Sequence, residues 1–177
     1  MKNNALLEKS IRNIADFPKP GIIFRDVTTL IQNKVAFKKS IDLLAKQYKG
    51  RRIDKVVGVE ARGFIFGSAI AYKIGASFVP VRKKGKLPYK TISTTYALEY
   101  GTDTLEIHQD AISPGEKILI IDDLLATGGT VKATADLVNQ LGGKILGIGF
   151  VIELIDLHGK AKLKDYPVYS LVKFSGE

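Results

Sequence analysis

Apolar positions along the chain follow two rhythms, a helical one near the N-terminus and short continuous runs further on. Leu7, Ile11 and Ile14 recur at helical spacing, and Pro18-Lys19-Pro20-Gly21 ends the helix they predict. Ile22-Ile23-Phe24 is a short apolar run. Phe37, Ile41, Leu44 and Tyr48 stripe a second helix, for which Asn33 is a suitable cap. Lys55-Val56-Val57-Gly58-Val59 predicts a buried strand, 64–73 a helix and Ser77-Phe78-Val79-Pro80-Val81 the next strand. A basic stretch containing Gly and Pro runs to about Ser93, and candidate strands at 95–99 and 104–108 flank Tyr100-Gly101. Ser113-Pro114-Gly115-Glu116 reads as a turn before Lys117-Ile118-Leu119-Ile120-Ile121, the strongest strand pattern in the chain. A helix at 131–141, Gly142-Gly143, a strand at 145–152 and a last strand near 168–172 complete the pattern. Short apolar strands alternating with helices predict an α/β fold, a twisted and mainly parallel sheet with helices on both faces.

Composition narrows this little. At 177 residues, 45% hydrophobic and 25% charged, the chain has the balance of a globular protein able to bury a core. Without repeats or linker-like tracts it reads as a single domain over 1–177. It contains no cysteine, which excludes disulfides, thiolate zinc sites and a cysteine nucleophile. No apolar run approaches the ~20 residues of a membrane span, and Met1-Lys2-Asn3-Asn4 opens no signal core, so a cytoplasmic protein without a membrane partner is expected. The net charge is +9, yet only Arg82-Lys83-Lys84-Gly85-Lys86 concentrates it. There is no aromatic ladder and no basic helix, so no nucleic-acid partner is expected; scattered surface lysine accounts for the rest.

Chemistry gathers where strands end. Glu60-Ala61-Arg62-Gly63, Arg82-Lys83-Lys84 and Asp122-Asp123 each follow a predicted strand, and open α/β sheets bind ligands beyond the carboxyl ends of their strands. Ala126-Thr127-Gly128-Gly129-Thr130 then opens into a helix, a small-residue turn whose N–H groups and hydroxyls suit an anion. The bland alternative is a tight turn in which Thr130 merely caps the helix, but it leaves the paired acids unexplained. Two better-known phosphate motifs fail. Gly58 to Gly63 has P-loop spacing, but Phe64-Ile65 replaces the required Lys-Ser/Thr. Gly147-Ile148-Gly149 lacks the third glycine of a dinucleotide site, where Ile152 stands. His108 and His158 have no partner at metal-ligand spacing and read as structural or surface groups.

The acidic pair followed by Ala-Thr-Gly-Gly-Thr resembles the signature of type I phosphoribosyltransferases. Phe17 to Asp26, Glu60-Ala61-Arg62-Gly63-Phe64, Arg82 to Pro88 and Tyr96-Ala97-Leu98-Glu99-Tyr100-Gly101 resemble the adenine-specific members of that family, with similarity over about 10–174. The resemblance implies the type I fold with a small N-terminal hood over about 1–34 and a flexible catalytic loop over about 82–101. It implies that Ala126, Thr127, Gly128, Gly129 and Thr130 hold a 5′-phosphate, with Asp122 and Asp123 on the ribose hydroxyls. Glu60, Ala61 and Arg62 would form a pyrophosphate loop, often with a non-proline cis bond, and Arg82 and Lys86 would clamp pyrophosphate. Ile23, Phe24 and Arg25 would hold adenine, and Glu99 would be the acid/base group.

The implied reaction joins adenine to phosphoribosyl pyrophosphate, giving AMP and pyrophosphate in purine salvage. Mg²⁺ would be held mainly through the substrate, with no direct protein ligand, and the protein would be a homodimer. Loss of a charged leaving group from a sugar suits cations at one end of the site and carboxylates at the other. A mobile loop that excludes water suits the apparently structureless 83–93. Two rivals stay open: a transferase for another purine, and a regulator that binds phosphoribosyl pyrophosphate without catalysis.

Overall fold

The computed structural model describes residues 4–97 and 101–176. Its centre is a seven-stranded sheet built from β3 (Lys55–Val59), β4 (Ser77–Lys83), β5 (Thr91–Ala97), β6 (Thr102–His108), β7 (Lys117–Leu125), β8 (Lys144–Leu154) and β9 (Val168–Phe174). The spatial order is β5-β6-β4-β3-β7-β8-β9. From β4 to β9 every neighbouring pair is parallel, while β6 pairs antiparallel with both β4 and β5. The mainly parallel α/β fold is therefore present, with an antiparallel hairpin at one edge.

Helices cover both faces, as parallel strands require. On one face α1 (Ala5–Lys9), α2 (Thr28–Gln32), α3 (Lys34–Gln47) and α4 (Arg62–Ile74) pack through Leu7, Leu30, Leu44, Phe66 and Ile70 onto Val56, Leu119 and Ile121. On the other, α5 (Gly129–Gln140) brings Val131, Leu137 and Val138 against Val57, Ile118, Ile120 and Ile148. Successive residues of β7 thus serve opposite cores, which is why its sequence is a continuous apolar run. Asn33 caps α3 as expected, its Oδ1 accepting from the N–H groups of Val35 and Ala36 at 3.0 and 3.1 Å. Gly147 and Gly149 make room for α3. A Cβ at Gly147 would lie 2.6 Å from the Tyr48 ring, and one at Gly149 would lie 2.8 Å from Ile121 Cδ1.

Two expectations are corrected. The first helix stops at Lys9, and Arg12–Ala15 is instead β1, paired antiparallel with β2 (Ile23–Asp26). Ile14 lies opposite Phe24, so its spacing from Leu7 and Ile11 is fortuitous. The hairpin is pinned outside itself: Thr29 Oγ1 accepts from Arg12 N at 3.1 Å and donates to Ser10 O at 2.7 Å. The second correction concerns 83–93. Arg82 and Lys83 still belong to β4, and β5 begins at Thr91, paired with His108. The alternating Thr91-Ile92-Ser93-Thr94-Thr95-Tyr96 suits a strand with one wetter face. This shortens the irregular connection at both ends.

Candidate active site

The carboxyl ends of β3, β4 and β7 lie side by side, and a cavity of about 250 Å³ opens there. Glu60, Arg62, Asp122, Asp123 and the whole Ala126-Thr127-Gly128-Gly129-Thr130 turn line it. β7 continues as strand through the acids to Leu125, so both carboxylates sit on paired backbone rather than beyond the strand. The turn then enters α5 through Gly128, which has φ +79°, a conformation suited to glycine. No side chain caps α5, so its first N–H groups are left to meet an anion. Thr130 lies inside the helix, which removes the simple capping reading.

Opposite charges pair across the mouth. Arg62, at the start of α4, donates Nε–H to Asp123 Oδ2. Arg82 engages Glu60 with two bonds, Nε to Oε2 at 3.2 Å and Nη2 to Oε1 at 3.0 Å, and Lys83 N–H adds a third to Oε2 at 3.1 Å. The Arg82 hydrogen bond holds the Glu60 carboxyl below its ordinary pKa. Asp122 goes the other way: burial, then the neighbouring Asp123 charge, raise it well above the ordinary carboxylate value. Its Oδ1 accepts from Asp123 N–H at 2.8 Å. Gly63 is what lets α4 approach this group, since a Cβ there would lie 2.8 Å from Asp122 Oδ1. The Glu60–Ala61 peptide bond is cis, in the loop where the sequence resemblance places one.

The hood reaches the same mouth. The Arg62 guanidinium lies 5.8 Å from the Phe24 ring centroid, and Phe17 packs edge-on against Phe24 at 5.2 Å. Phe24 is half-buried beside Arg62, and Ile23, also half-buried, lies on the opposite face of β2. Arg25 alternates to the other face of β2. Its Nη1 donates to Asn13 Oδ1 at 2.8 Å and its guanidinium lies 4.3 Å over Phe174, so its side chain is engaged away from this mouth. Lys86 is exposed, with its carbonyl accepting from Arg82 Nη1 at 3.0 Å. Glu99 lies outside the described residues.

Two further residues touch the phosphate turn. Thr130 Oγ1 donates to Tyr96 Oη at 3.2 Å, and a Cβ at Gly129 would lie 3.3 Å from the Tyr96 ring. Gly159 packs backbone to backbone against Ala126 and Gly128. Tyr96 stood in a recognised motif without an assigned role, whereas nothing in the sequence marks Gly159.

A helix-start turn suited to an anion, two acids and two guanidiniums gather at one mouth, an arrangement that fits the class of protein the sequence comparisons identify. The family model for the phosphoribosyl transferase domain matches residues 26–176. The chain belongs to the phosphoribosyltransferase family, and within it to the adenine phosphoribosyltransferases. It is 57% identical over 168 residues to the adenine phosphoribosyltransferase of Brachyspira hyodysenteriae, covering 95% of this chain and 99% of that one. Identity reaches 60% over 168 residues with that of Trichlorobacter lovleyi, covering 95% and 98%. The crystal structure of adenine phosphoribosyltransferase from Thermoanaerobacter pseudethanolicus superposes with a TM-score of 0.93 at 52% identity, covering 96% and 99%. The Saccharomyces cerevisiae enzyme, complexed with an imino-altritol bisphosphate and adenine, gives 0.90 at 41%, covering 95% and 97%.

Proposed function

We propose that this site transfers the 5-phosphoribosyl group from phosphoribosyl pyrophosphate to adenine, with Ala126, Thr127, Gly128, Gly129 and Thr130 holding the 5′-phosphate. The observation that carries the reading is the single cavity shared by that turn, Asp122, Asp123, Glu60 and Arg62. The Arg62–Asp123 and Glu60–Arg82 pairs balance charge across the mouth. On binding, pyrophosphate takes the guanidiniums of Arg62 and Arg82 and the Lys86 charge, beside the Glu60-Ala61 backbone. Asp123 and Asp122 turn to the ribose hydroxyls. Their carboxylates meet those hydroxyls and favour the positive charge developing at the anomeric carbon. The bond from that carbon to pyrophosphate oxygen breaks, its electrons leaving on oxygen. The bond to adenine nitrogen forms from the opposite face with inversion, and the imidazole proton passes to a base, for which Glu99 is the candidate. The Phe24 ring covers the base, and Ile23 and Arg25, whose side chains turn to the other face of β2, contribute through their backbone.

Hard carboxylate oxygens at Asp122 and Asp123 suit Mg²⁺, which keeps its waters and substrate phosphates and needs no protein cage. Held mainly through the substrate phosphates, with no direct protein ligand, Mg²⁺ would supply charge neutralisation for the leaving group. The exposed Ile65 and Tyr72 on one side of α4 support a homodimer, to be checked by sedimentation. Among the described residues no helix is long and apolar enough to cross a membrane, which together with the absence of cysteine supports a cytoplasmic location.

The decisive assay follows pyrophosphate release with adenine, hypoxanthine, guanine and xanthine in parallel. Turnover with adenine alone is expected. Preference for an oxo-purine overturns the base assignment, and binding of phosphoribosyl pyrophosphate without turnover overturns catalysis.

A further inference from the structure

The phosphate turn owes its shape to a contact made far along the chain. Ile155–Leu157 and Gly159–Leu163 form two successive 3-10 turns between β8 and β9, joined at His158, which has φ +50°. Gly159 is buried and meets the phosphate turn with no side chain between them. A Cβ on Gly159 would overlap Ala126 O outright and would lie 3.0 Å from both Gly128 N and Leu125 Cδ1. In return, a Cβ on Gly128 would lie 2.5 Å from Gly159 O. Two glycines facing each other in this way allow two backbones to touch where any side chain would force one of them to move.

The turn carrying Gly159 is the firmer partner. Leu163 is buried in the core beneath α5. Lys160 Nζ stands 3.5 Å from Glu153 Oε2, and Glu153 is a buried carboxylate on β8 that also has Lys173 Nζ at 3.8 Å. Ala161 N–H closes the turn onto His158 O at 2.9 Å. The phosphate turn, by contrast, lines the cavity, and its helix end carries no side-chain cap.

We infer that Gly159 is a positioning residue for the 5′-phosphate subsite: its backbone sets where the Ala126 carbonyl and the Gly128 N–H stand, and so how well the turn wraps a phosphate. The inference rests on reading Ala126 to Thr130 as the phosphate cradle. It assigns Gly159 an effect on ligands bearing the 5′-phosphate and none on adenine itself.

The test titrates the full-length protein with ribose 5-phosphate and, separately, with adenine, and measures KM for both substrates. Variants are Gly159→Ala, Lys160→Met and Thr127→Val, with circular dichroism and thermal melting to establish folding. Gly159→Ala is expected to weaken ribose 5-phosphate binding and raise KM for phosphoribosyl pyrophosphate by about tenfold or more, because small misplacements of a binding group are costly. Adenine affinity should stay within about twofold, since no described residue of the hood lines the cavity at this turn. A folded Gly159→Ala protein with unchanged ribose 5-phosphate affinity, or with equal losses for both ligands, overturns the inference. If that variant does not fold, Lys160→Met decides. It loosens the turn without adding an atom at the contact, and should cost ribose 5-phosphate a few-fold while sparing adenine; no selective loss overturns the inference. Thr127→Val separates the two layers of argument. Unchanged ribose 5-phosphate affinity there means the cradle reading has failed, whereas a loss there with none in the Gly159 and Lys160 variants means that only the role of Gly159 has failed.

Discussion

Asp122 and Asp123 are neighbours in sequence but face different electrical surroundings. Asp123 carries the Arg62 guanidinium, while Asp122 is enclosed and its pKa is raised by burial and by the Asp123 charge. A carboxyl with a raised folded pKa contributes its full stability below the unfolded value near 3.8 and loses it as pH climbs through the folded value. Glu60 has the opposite sign: its pKa is lowered by Arg82, so its contribution is present above about 4.5 and fades as pH falls through the lower folded value. Asp122→Asn keeps the Oδ1 acceptor for Asp123 N–H and removes the titration. Melting curves between pH 4 and 7 should therefore show the variant more stable than the parent at neutral pH, with the gap closing toward pH 4. For a chain of this length each kcal/mol recovered raises Tm by about 2–4 °C. Transfer activity should fall in the same variant, because the ribose hydroxyls lose a carboxylate partner. Equal melting temperatures across the whole range would mean that Asp122 is as comfortable charged as neutral.

At the level of elements, the strongest signals were those where local preference and burial agree. The β7 run, the α3 stripe and the Asn33 cap all stand where the pattern predicts them. Asn33→Ala removes an acceptor from two N–H groups and should cost about 1 kcal/mol in urea unfolding, leaving KM values unchanged. Elements whose identity depends on a distant partner were not readable. Arg12 to Ala15 is strand because Ile23–Asp26 is available to pair with it and Thr29 ties down its end. Thr91 to Thr94 are strand because β6 returns alongside, where the sequence places a strand only from 95; residues 98 and 99 of that expected strand lie outside the described residues. The strand expected at 104–108 lies within β6, which begins two residues earlier, at Thr102.

Across the whole molecule, charge and topology act together. The chain carries nine excess positive charges, concentrated in sequence only at Arg82-Lys83-Lys84-Gly85-Lys86, where Arg82 pairs with Glu60 at the mouth. Such a field speeds the encounter with an anion and is screened beyond a Debye length of about 8–10 Å at ordinary salt. Raising ionic strength should therefore lower kcat/KM for phosphoribosyl pyrophosphate several-fold and change that for adenine little, measured by initial rates at fixed pH. Equal salt sensitivity for the two substrates would place the effect on folding or loop closure instead.

The motifs themselves carried the family, the phosphate turn and the acidic pair, because an anion cradle at a helix start and a strand delivering carboxylates are both local in sequence. Glu60, Arg62 and Arg82 were readable as candidates on the same ground, since each stands at or just past the end of an apolar strand pattern. Their mutual pairing was not, because the order of strands in the sheet brings β3 between β4 and β7. Arg25 shows the limit from the other side: it lies in the recognised segment, yet strand alternation turns its guanidinium onto Phe174. Gly159 shows it most fully. A lone glycine in a lysine-rich turn has no sequence signature, and its importance exists only where the chain folds back and sets one backbone against another. Short-range chemistry is written residue by residue, whereas contact between segments that are distant in sequence depends on packing that no local pattern encodes.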